Sequence, residues 1–390
     1  DITDEATFVV GYEKESIIKE ANSFNGKINI SEQKEAIGTA DAVKSSLDTI
    51  SAESKVLVLY GDVPLIKKNT LENLITSTTD SLTILTTLMD NPTGYGRVKK
   101  NSDGLTEAIV EEKDASNEDK LINEIFTGIL CCNKRLLEEA INEVKNNNAA
   151  EEYYLTDIVK LSRQSRLKIN LVLAQNEKNA VGVNDQIELL EAEKIMQDRL
   201  RKKFIKQGVK FVDASTVYLS SDTKIGKNVK IEPYVVIGKK VKIGNNVIIK
   251  SFSHLEETNV KNKVEIGPYA RLRPGSILED NSKIGNFVEI KKSKIGKGSK
   301  VNHLTYIGDA LLGNKVNIGA GTITCNYDGK NKFKTVIEDS AFIGSNSSLI
   351  APVKIGKNSL VGAGSSISKD VKENSLALTR AEQKNLRKKR

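Results

Sequence analysis

The stretch Val236-Ile237-Gly238-Lys239-Lys240-Val241-Lys242-Ile243-Gly244 states one rule twice: an aliphatic residue, then glycine, repeated six residues later. The rule recurs at Ile225-Gly226, Ile266-Gly267, Ile284-Gly285, Ile295-Gly296, Ile307-Gly308, Leu312-Gly313, Ile318-Gly319, Ile343-Gly344, Ile355-Gly356 and Val361-Gly362. Many of the intervals are six or twelve residues and one is eighteen. That is the hexapeptide repeat of a parallel β-helix, in which each unit is a short strand and a corner and three units close one coil. The aliphatic residue points into the prism and the glycine relieves the corner. Two intervals break the period: 23 residues from Ile243 to Ile266 and 25 from Ile318 to Ile343. The second contains Gly321-Thr322-Ile323-Thr324-Cys325-Asn326-Tyr327-Asp328-Gly329, which reads as a loop thrown out from the prism. Loops on a rigid scaffold tend to carry function.

Upstream of about residue 213 the pattern is different. Thr7-Phe8-Val9-Val10-Gly11 is a short apolar run ending at glycine, and helical spacing follows through Ile17, Ile18 and Ala21. Lys55-Val56-Leu57-Val58-Leu59-Tyr60 is an uninterrupted apolar strand ending at Gly61-Asp62. A strand apolar on both faces predicts a parallel sheet covered by helices. Ligands of such sheets sit beyond the carboxyl ends of the strands, which places Asp62 beside a ligand or metal. Residues 185–208 read as a connecting helix, with Asp185 as cap, Glu188 at capping-box spacing and Gly208 as stop. Ile187, Leu190, Ile195 and Leu200 give it a partial apolar face.

The chain of 390 residues is 38% hydrophobic and 28% charged, enough for two or three domains with real cores. The expected layout is 1–184, the connecting helix, a β-helix over 209–375 and a basic tail over 376–390. No run has the apolar length of a membrane span, and no secretion leader is visible. The net charge of +8 is spread out except between Arg380 and Arg390, where six basic residues stand against one acidic. With 5% aromatics and no Trp, nucleic-acid stacking is disfavoured, and the tail reads as a solvated end or a grip on a polyanionic small molecule. Three cysteines, Cys131, Cys132 and Cys325, point to a reduced, cytoplasmic protein without a zinc site. The histidines are only His254 and His303.

Several segments carry a resemblance. In the first half they are Leu59-Tyr60-Gly61-Asp62-Val63-Pro64-Leu65, Asn91-Pro92-Thr93-Gly94-Tyr95-Gly96-Arg97, Glu152-Tyr153-Tyr154-Leu155-Thr156-Asp157 and Gly182-Val183-Asn184. In the second they are Arg271-Leu272-Arg273-Pro274-Gly275, His303-Leu304-Thr305-Tyr306-Ile307-Gly308-Asp309 and the run from Asn317 to Gly329. Together they resemble the bacterial bifunctional enzymes that join N-acetylglucosamine-1-phosphate uridylyltransferase to glucosamine-1-phosphate N-acetyltransferase. That resemblance implies an α/β nucleotidyltransferase (Rossmann-like) domain joined by a helix to a left-handed parallel β-helix. It also implies a homotrimer that makes UDP-N-acetylglucosamine for cell-wall and lipopolysaccharide precursors, without nucleic-acid or membrane partners.

For the second half the resemblance implies acetyl transfer from acetyl-CoA to the amine of glucosamine 1-phosphate. His303 would be the general base that takes the amine proton, and Glu289 the carboxylate orienting it. Arg273 and Lys291 would bind the phosphate. Tyr306 and Asn317 would bind the sugar, and Asn326 and Tyr327 would close over sugar and thioester. Ala320, Ser345, Ala363 and Arg380 match acetyl-CoA contacts.

For the first half the resemblance implies uridylyl transfer from UTP to N-acetylglucosamine 1-phosphate, with Mg²⁺ on Asp62 and Asn184. Gln33, Gly38 and Thr39 match nucleotide contacts, and Gly96 and Glu111 the N-acetylglucosamine pocket. Two departures stand out. The family's opening strand, glycine-rich phosphate loop and helix fall ahead of Asp1, so the sequence as given is expected to acetylate but not to uridylylate. Phe126 stands where the family usually has Asn before Thr127-Gly128. Three rivals are weighed: a sugar-1-phosphate nucleotidyltransferase whose β-helix is only regulatory or oligomeric, a β-helix carbonic anhydrase, and a non-catalytic scaffold. The first predicts no coherent acetyl-transfer set. The second needs three zinc histidines where the sequence has two.

Overall fold

A computed structural model describes residues 2–24, 26–175, 180 and 182–387. The chain divides into two units, up to Glu193 and from Lys194 onward.

The second unit is the prism that the repeat predicts. Short strands lie on three walls, and each pairs in parallel with the strand one coil away. Lys224-Ile225 pairs Lys242-Ile243, Lys230-Ile231 pairs Ile248-Ile249, and Val236-Ile237 pairs His254-Leu255. The second residue of each two-residue strand points inward, so Ile231, Ile237, Ile249, Leu255, Ile266, Leu272 and their successors form one continuous buried column. Each fully buried aliphatic side chain contributes about 1.5–3 kcal/mol of hydrophobic free energy, so a column of this length holds the coils in register.

The interval of 23 residues is not a loop. Asn259-Val260 takes the wall position where the aliphatic–glycine pair was sought, pairing Lys242-Ile243 on one side and Ile277-Leu278 on the other. The coil is one residue shorter there and lacks the glycine. The interval of 25 residues does contain an excursion, but it begins later than Gly321. Ile323–Cys325 still belongs to the wall and pairs with Ser348–Ile350. The chain leaves at Asn326 and rejoins at Thr335–Ile337.

One corner column carries rings. Tyr234, Phe252, Tyr269 and Phe287 each adopt a left-handed φ of 55–60°. Their rings stack with centroids 5.1, 4.8 and 5.1 Å apart. All four are about half exposed, and Leu304 continues the ridge at 62%.

In the first unit, Glu5–Val10 and Lys27–Glu32 form a separate parallel pair, with the helix Lys14–Ala21 between them. The main sheet runs Thr106–Val110, Arg97–Lys100, Glu124–Asn133, Ser81–Leu88, Lys168–Leu173. Lys55–Val58 also joins it, but antiparallel, against Glu124–Asn133. Among the described residues it has no parallel neighbour, and only Val56 of the strand is buried, so the apolar run foretold neither its partner's direction nor burial on both faces. Only Ser81–Leu88 and Lys168–Leu173 pair in parallel in this sheet.

The connecting helix spans Gln186–Lys206. Asp185 Oδ1 accepts the Ile187 and Glu188 N–H groups at 2.8 Å, as a cap should. Glu188 reaches back to the Asn184 N–H at 2.6 Å, one residue beyond the cap. The apolar face is realised only in the later turns. Leu200 and Phe204 pack into the β-helix column, whereas Ile187 and Leu190 stay exposed.

Candidate functional site

Two long strands, Lys283–Lys291 and Lys300–Gly308, run continuously round one corner of the prism and pair along their length. Their register sets Asn286 beside His303, Glu289 beside Tyr306 and Lys291 beside Gly308. His303 Nδ1 lies 2.6 Å from Asn286 Oδ1. An amide oxygen can only accept, so in the neutral imidazole Nδ1 carries the proton and Nε2 keeps its lone pair. That is the tautomer a general base needs. Glu289, expected to orient the histidine, does not reach it. Three residues further along the strand, its carboxylate accepts a hydrogen bond from Arg273 Nη1 at 2.8 Å. That carboxylate also raises the Arg273 pKa further. Asn286 was legible in principle, since it lies one 17-residue coil before His303.

Arg273 and Lys291 occupy equivalent positions at the end of the same wall on successive coils, each just after the paired residues Leu272 and Ile290. A third cation, Lys332, reaches them from the excursion. Contact with Lys332, then burial, pushes the Lys291 pKa down. Like charges this close mark a place for an anion. Sequence reading missed Lys332 because the excursion breaks the period. The Tyr306 ring lies along the wall toward this cluster. A Cβ on Gly308 would stand 2.3 Å from the Tyr306 hydroxyl, so any side chain there would push the tyrosine ring aside. An open groove of about 420 Å³ beside these residues is lined by Tyr269, Arg271, Phe287, Glu289, Leu304 and Tyr306.

The excursion is a compact hairpin. Asn326 accepts the Phe333 N–H at 2.9 Å on its carbonyl, and Tyr327 bridges Lys332. Asp328 Oδ1 caps the turn by accepting the Lys330 and Asn331 N–H groups. Asn326 is buried, while Tyr327 is 59% exposed and donates its hydroxyl to Gly329 O.

The corner of His303 continues down the prism through Ala320, Ser345 and Ala363. Ala320 O accepts the Asn346 N–H at 2.7 Å, and Ser345 O accepts the Gly364 N–H at 2.8 Å. Arg380 Nη1 donates to Ala363 O at 3.0 Å. These four residues therefore share one edge with His303. Asn317 does not join Tyr306. It sits on the preceding wall between Lys300 and Phe342. The tail residues Lys388, Lys389 and Arg390 lie outside the described residues.

In the first unit, Asp62 and Asn184 converge. A Cβ on Gly182 would stand 3.1 Å from Asp62 Oδ2 and 3.9 Å from Asn184 Nδ2, and Val183 donates to Asp62 O at 2.9 Å. Gln33 Nε2 donates to Gly38 O and Asp41 Oδ2, both at 3.0 Å. A Cβ on Gly38 would meet Tyr153 O at 2.4 Å. Thr39 Oγ1 accepts the Leu155 N–H at 2.9 Å and also bonds Tyr60, whose hydroxyl is pushed up to about 12, chiefly by burial. Glu111 accepts from Thr156 Oγ1 at 2.8 Å, and burial raises its carboxyl pKa. Gly96 faces that carboxylate. Thus Gln33, Gly38 and Thr39 form one group, Gly96 and Glu111 a second, and Asp62 and Asn184 a third.

Residues 4–188 match the family model for nucleotidyl transferases, and residues 222–256 and 334–369 match that for bacterial transferase hexapeptides. A curated relative, the "Bifunctional protein GlmU" of Thermosipho melanesiensis, is 47% identical over 90% of this chain and 81% of its own. The chain belongs to the GlmU family. The GlmU protein of Carboxydothermus hydrogenoformans is 44% identical over 97% of this chain and 88% of its own. A solved structure of LpxA from Acinetobacter baumannii covers 43% of this chain and 70% of its own, with a TM-score of 0.37 at 23% identity. The family matches, not the solved structure, make the fold a GlmU-type nucleotidyltransferase domain joined to a left-handed β-helix.

Phe126 is a core residue of this GlmU-family chain. Its ring is buried in the cluster with Ile84, Ile109 and Leu155, and its N–H is donated to Gly96 O at 2.9 Å. Its ring makes no polar contact, but its backbone anchors the Gly96 loop. Cys131 and Cys132 are free thiols buried in the same sheet, and Cys325 is a partly buried free thiol. Among the described residues no cluster of three metal-ligating side chains occurs, and no helix is long and apolar enough to cross a membrane.

Proposed function

We infer that the protein acetylates glucosamine 1-phosphate from acetyl-CoA and, in its intact form with the phosphate loop, transfers uridylyl from UTP to N-acetylglucosamine 1-phosphate. The observation that carries the first activity is His303 with a free Nε2, one wall from three convergent cations. The amine attacks the thioester carbonyl, His303 Nε2 takes the amine proton, and coenzyme A leaves as the thiol. Arg273, Lys291 and Lys332 hold the sugar phosphate, while Tyr306 and Asn326 position the ring. Ala320, Ser345, Ala363 and Arg380 line the edge along which the coenzyme lies. Ser345 would steady the tetrahedral oxyanion through its hydroxyl.

In the first unit, Asp62 and Asn184 supply two hard oxygen donors. This suits Mg²⁺, which keeps waters and substrate phosphates as its remaining ligands. These two residues would hold it. Bound there, the ion would neutralise charge on the transferring phosphoryl group. Gln33, Gly38 and Thr39 bind the nucleotide, and Gly96 and Glu111 bind the amido sugar. A homotrimer is supported by the half-exposed aromatic ridge and by Asn317 lying on a different wall from Tyr306, as in a site completed by a neighbouring copy. Three free thiols support a cytoplasmic setting.

Two measurements test this reading. Lys332→Ala should raise KM for glucosamine 1-phosphate by roughly 10- to 100-fold while kcat falls less, the mark of lost charge-assisted phosphate contacts. An unchanged KM would remove Lys332 from the anion site.

Glu111 gives the second test. Its folded pKa lies above its unfolded value, so folding takes up a proton between the two. Stability is highest below the ordinary carboxylate range and falls as pH rises through the folded pKa. Glu111→Gln removes that cost. Thermal unfolding should show the variant more stable than wild type at about pH 7 and equal to it near pH 4. Calorimetry should show weaker UDP-N-acetylglucosamine binding. A variant less stable at neutral pH, with undiminished binding, would refute both the burial argument and the sugar role.

A further inference from the structure

The excursion that carries Asn326, Tyr327 and Lys332 leaves one wall after Cys325 and rejoins the next at Thr335. Both of its ends return to a single residue, Asp309. The Asp309 carboxylate accepts the Asn326 Nδ2–H at 2.5 Å, and its backbone carbonyl accepts the Thr335 N–H at 3.2 Å. Asp309 is itself fixed. It turns the corner after the strand Lys300–Gly308 with a left-handed φ of 49° and donates its N–H to Lys291 O at 3.0 Å. Its charge also acts on the cation cluster, opposing the depression that Lys332 imposes on Lys291.

The chemistry of the Asn326 contact has a direction. A carboxylate only accepts, so the Asn326 amide must turn its NH₂ toward Asp309. The amide oxygen is left as the group available to substrate, and it can meet only a donor, a hydroxyl or amine N–H of the sugar. Asn326 is 7% exposed, so little room remains for another arrangement.

We propose that Asp309 is a positioning residue of the acetyl-transfer site, latching both ends of the excursion and fixing which face of the Asn326 amide meets the sugar. The substrate part rests on the acetyl-transfer reading above. The latch itself does not, and the test separates them.

In Asp309→Ala, kcat/KM for glucosamine 1-phosphate should fall roughly 10- to 100-fold, the range for losing a hydrogen bond to a charged group. KM for acetyl-CoA should move by less than about threefold. Asp309→Asn keeps an acceptor at the same place and should recover most of the loss. It also stands in if the alanine variant folds poorly. Amide hydrogen exchange reads the latch with no substrate present. The Phe333 amide, bonded to Asn326 O, should exchange faster in Asp309→Ala and return toward the wild-type rate in Asp309→Asn. The Thr335 amide, held by the Asp309 backbone, should keep its rate in both. The proposal is overturned if Asp309→Ala leaves Phe333 exchange unchanged. It is equally overturned if alanine and asparagine lose the same activity, or if KM for acetyl-CoA rises as far as KM for the sugar.

Discussion

His303→Ala should lower kcat for acetyl transfer by about 100-fold or more, with a smaller change in KM. An ammonium has no lone pair, so the acceptor amine must shed a proton as it attacks, and imidazole is the side chain suited to take it near neutral pH. The structure gives His303 the right form for this, since Asn286 Oδ1 fixes the proton on Nδ1 at 2.6 Å. The ring sits at the corner whose column continues through Ala320, Ser345 and Ala363, and the sugar's cations lie on the adjoining wall. Steady-state kinetics on the purified variant, with its β-helix checked by circular dichroism, is the measurement. Retained turnover would take His303 out of the mechanism. The other imidazole, His254, lies on an earlier coil beside Val236 and Arg271 and could not replace it.

The largest effect on stability should come from Gly285→Ala. A Cβ there would stand 1.8 Å from Asn302 O and 2.6 Å from Asn302 C. Those are backbone atoms, and they cannot turn aside as a flexible side chain could. Asn302 is held in the strand Lys300–Gly308, whose register with Lys283–Lys291 runs unbroken round the corner. The coils must therefore part locally. Overpacking of this kind costs about 1–3 kcal/mol and occasionally more, which lowers the unfolding midpoint by roughly 2–12 °C for a unit of this size. The damage should be catalytic too, because Gly285 precedes Asn286 and Asn302 precedes His303. The same methyl group would spoil the contact that sets the imidazole tautomer. Thermal unfolding and acetyl transfer should fall together. An alanine variant with the wild-type midpoint would mean that the corner is more compliant than its geometry indicates.

Much of the second unit was legible because its constraint is repetitive. Each aliphatic–glycine pair states the same fact, and a single irregular coil such as Asn259-Val260 does not erase it. The site was legible unevenly. His303, Lys291 and Tyr306 stand on two paired strands, with Arg273 just after Leu272 on the coil before, and the fold brings them to one corner and the wall beside it. Glu289 was assigned to the histidine by the resemblance alone. The cross-strand register, which sequence does not display, gives it to Arg273 and sets Asn286 at the imidazole instead. Lys332 and Asp309 were passed over for a related reason. Their roles depend on where a non-repeating hairpin folds back, and no periodicity reports that. In the first unit the apolar run Lys55–Tyr60 announced a strand, but its burial is only partial and its direction is decided by its neighbour Glu124–Asn133, some seventy residues away. Apolar pattern marks a strand, whereas pairing is a long-range choice.

The most direct test is thiol release from acetyl-CoA with three acceptors in parallel: glucosamine 1-phosphate, glucosamine, and N-acetylglucosamine 1-phosphate. The base and the cation cluster together demand a free amine and a phosphate on one molecule. Turnover is therefore expected with glucosamine 1-phosphate, a loss of roughly 100-fold or more in kcat/KM with glucosamine, which lacks the phosphate, and none with N-acetylglucosamine 1-phosphate, whose nitrogen is already acylated. Equal rates with glucosamine and glucosamine 1-phosphate, or no thiol release with glucosamine 1-phosphate, would contradict the account.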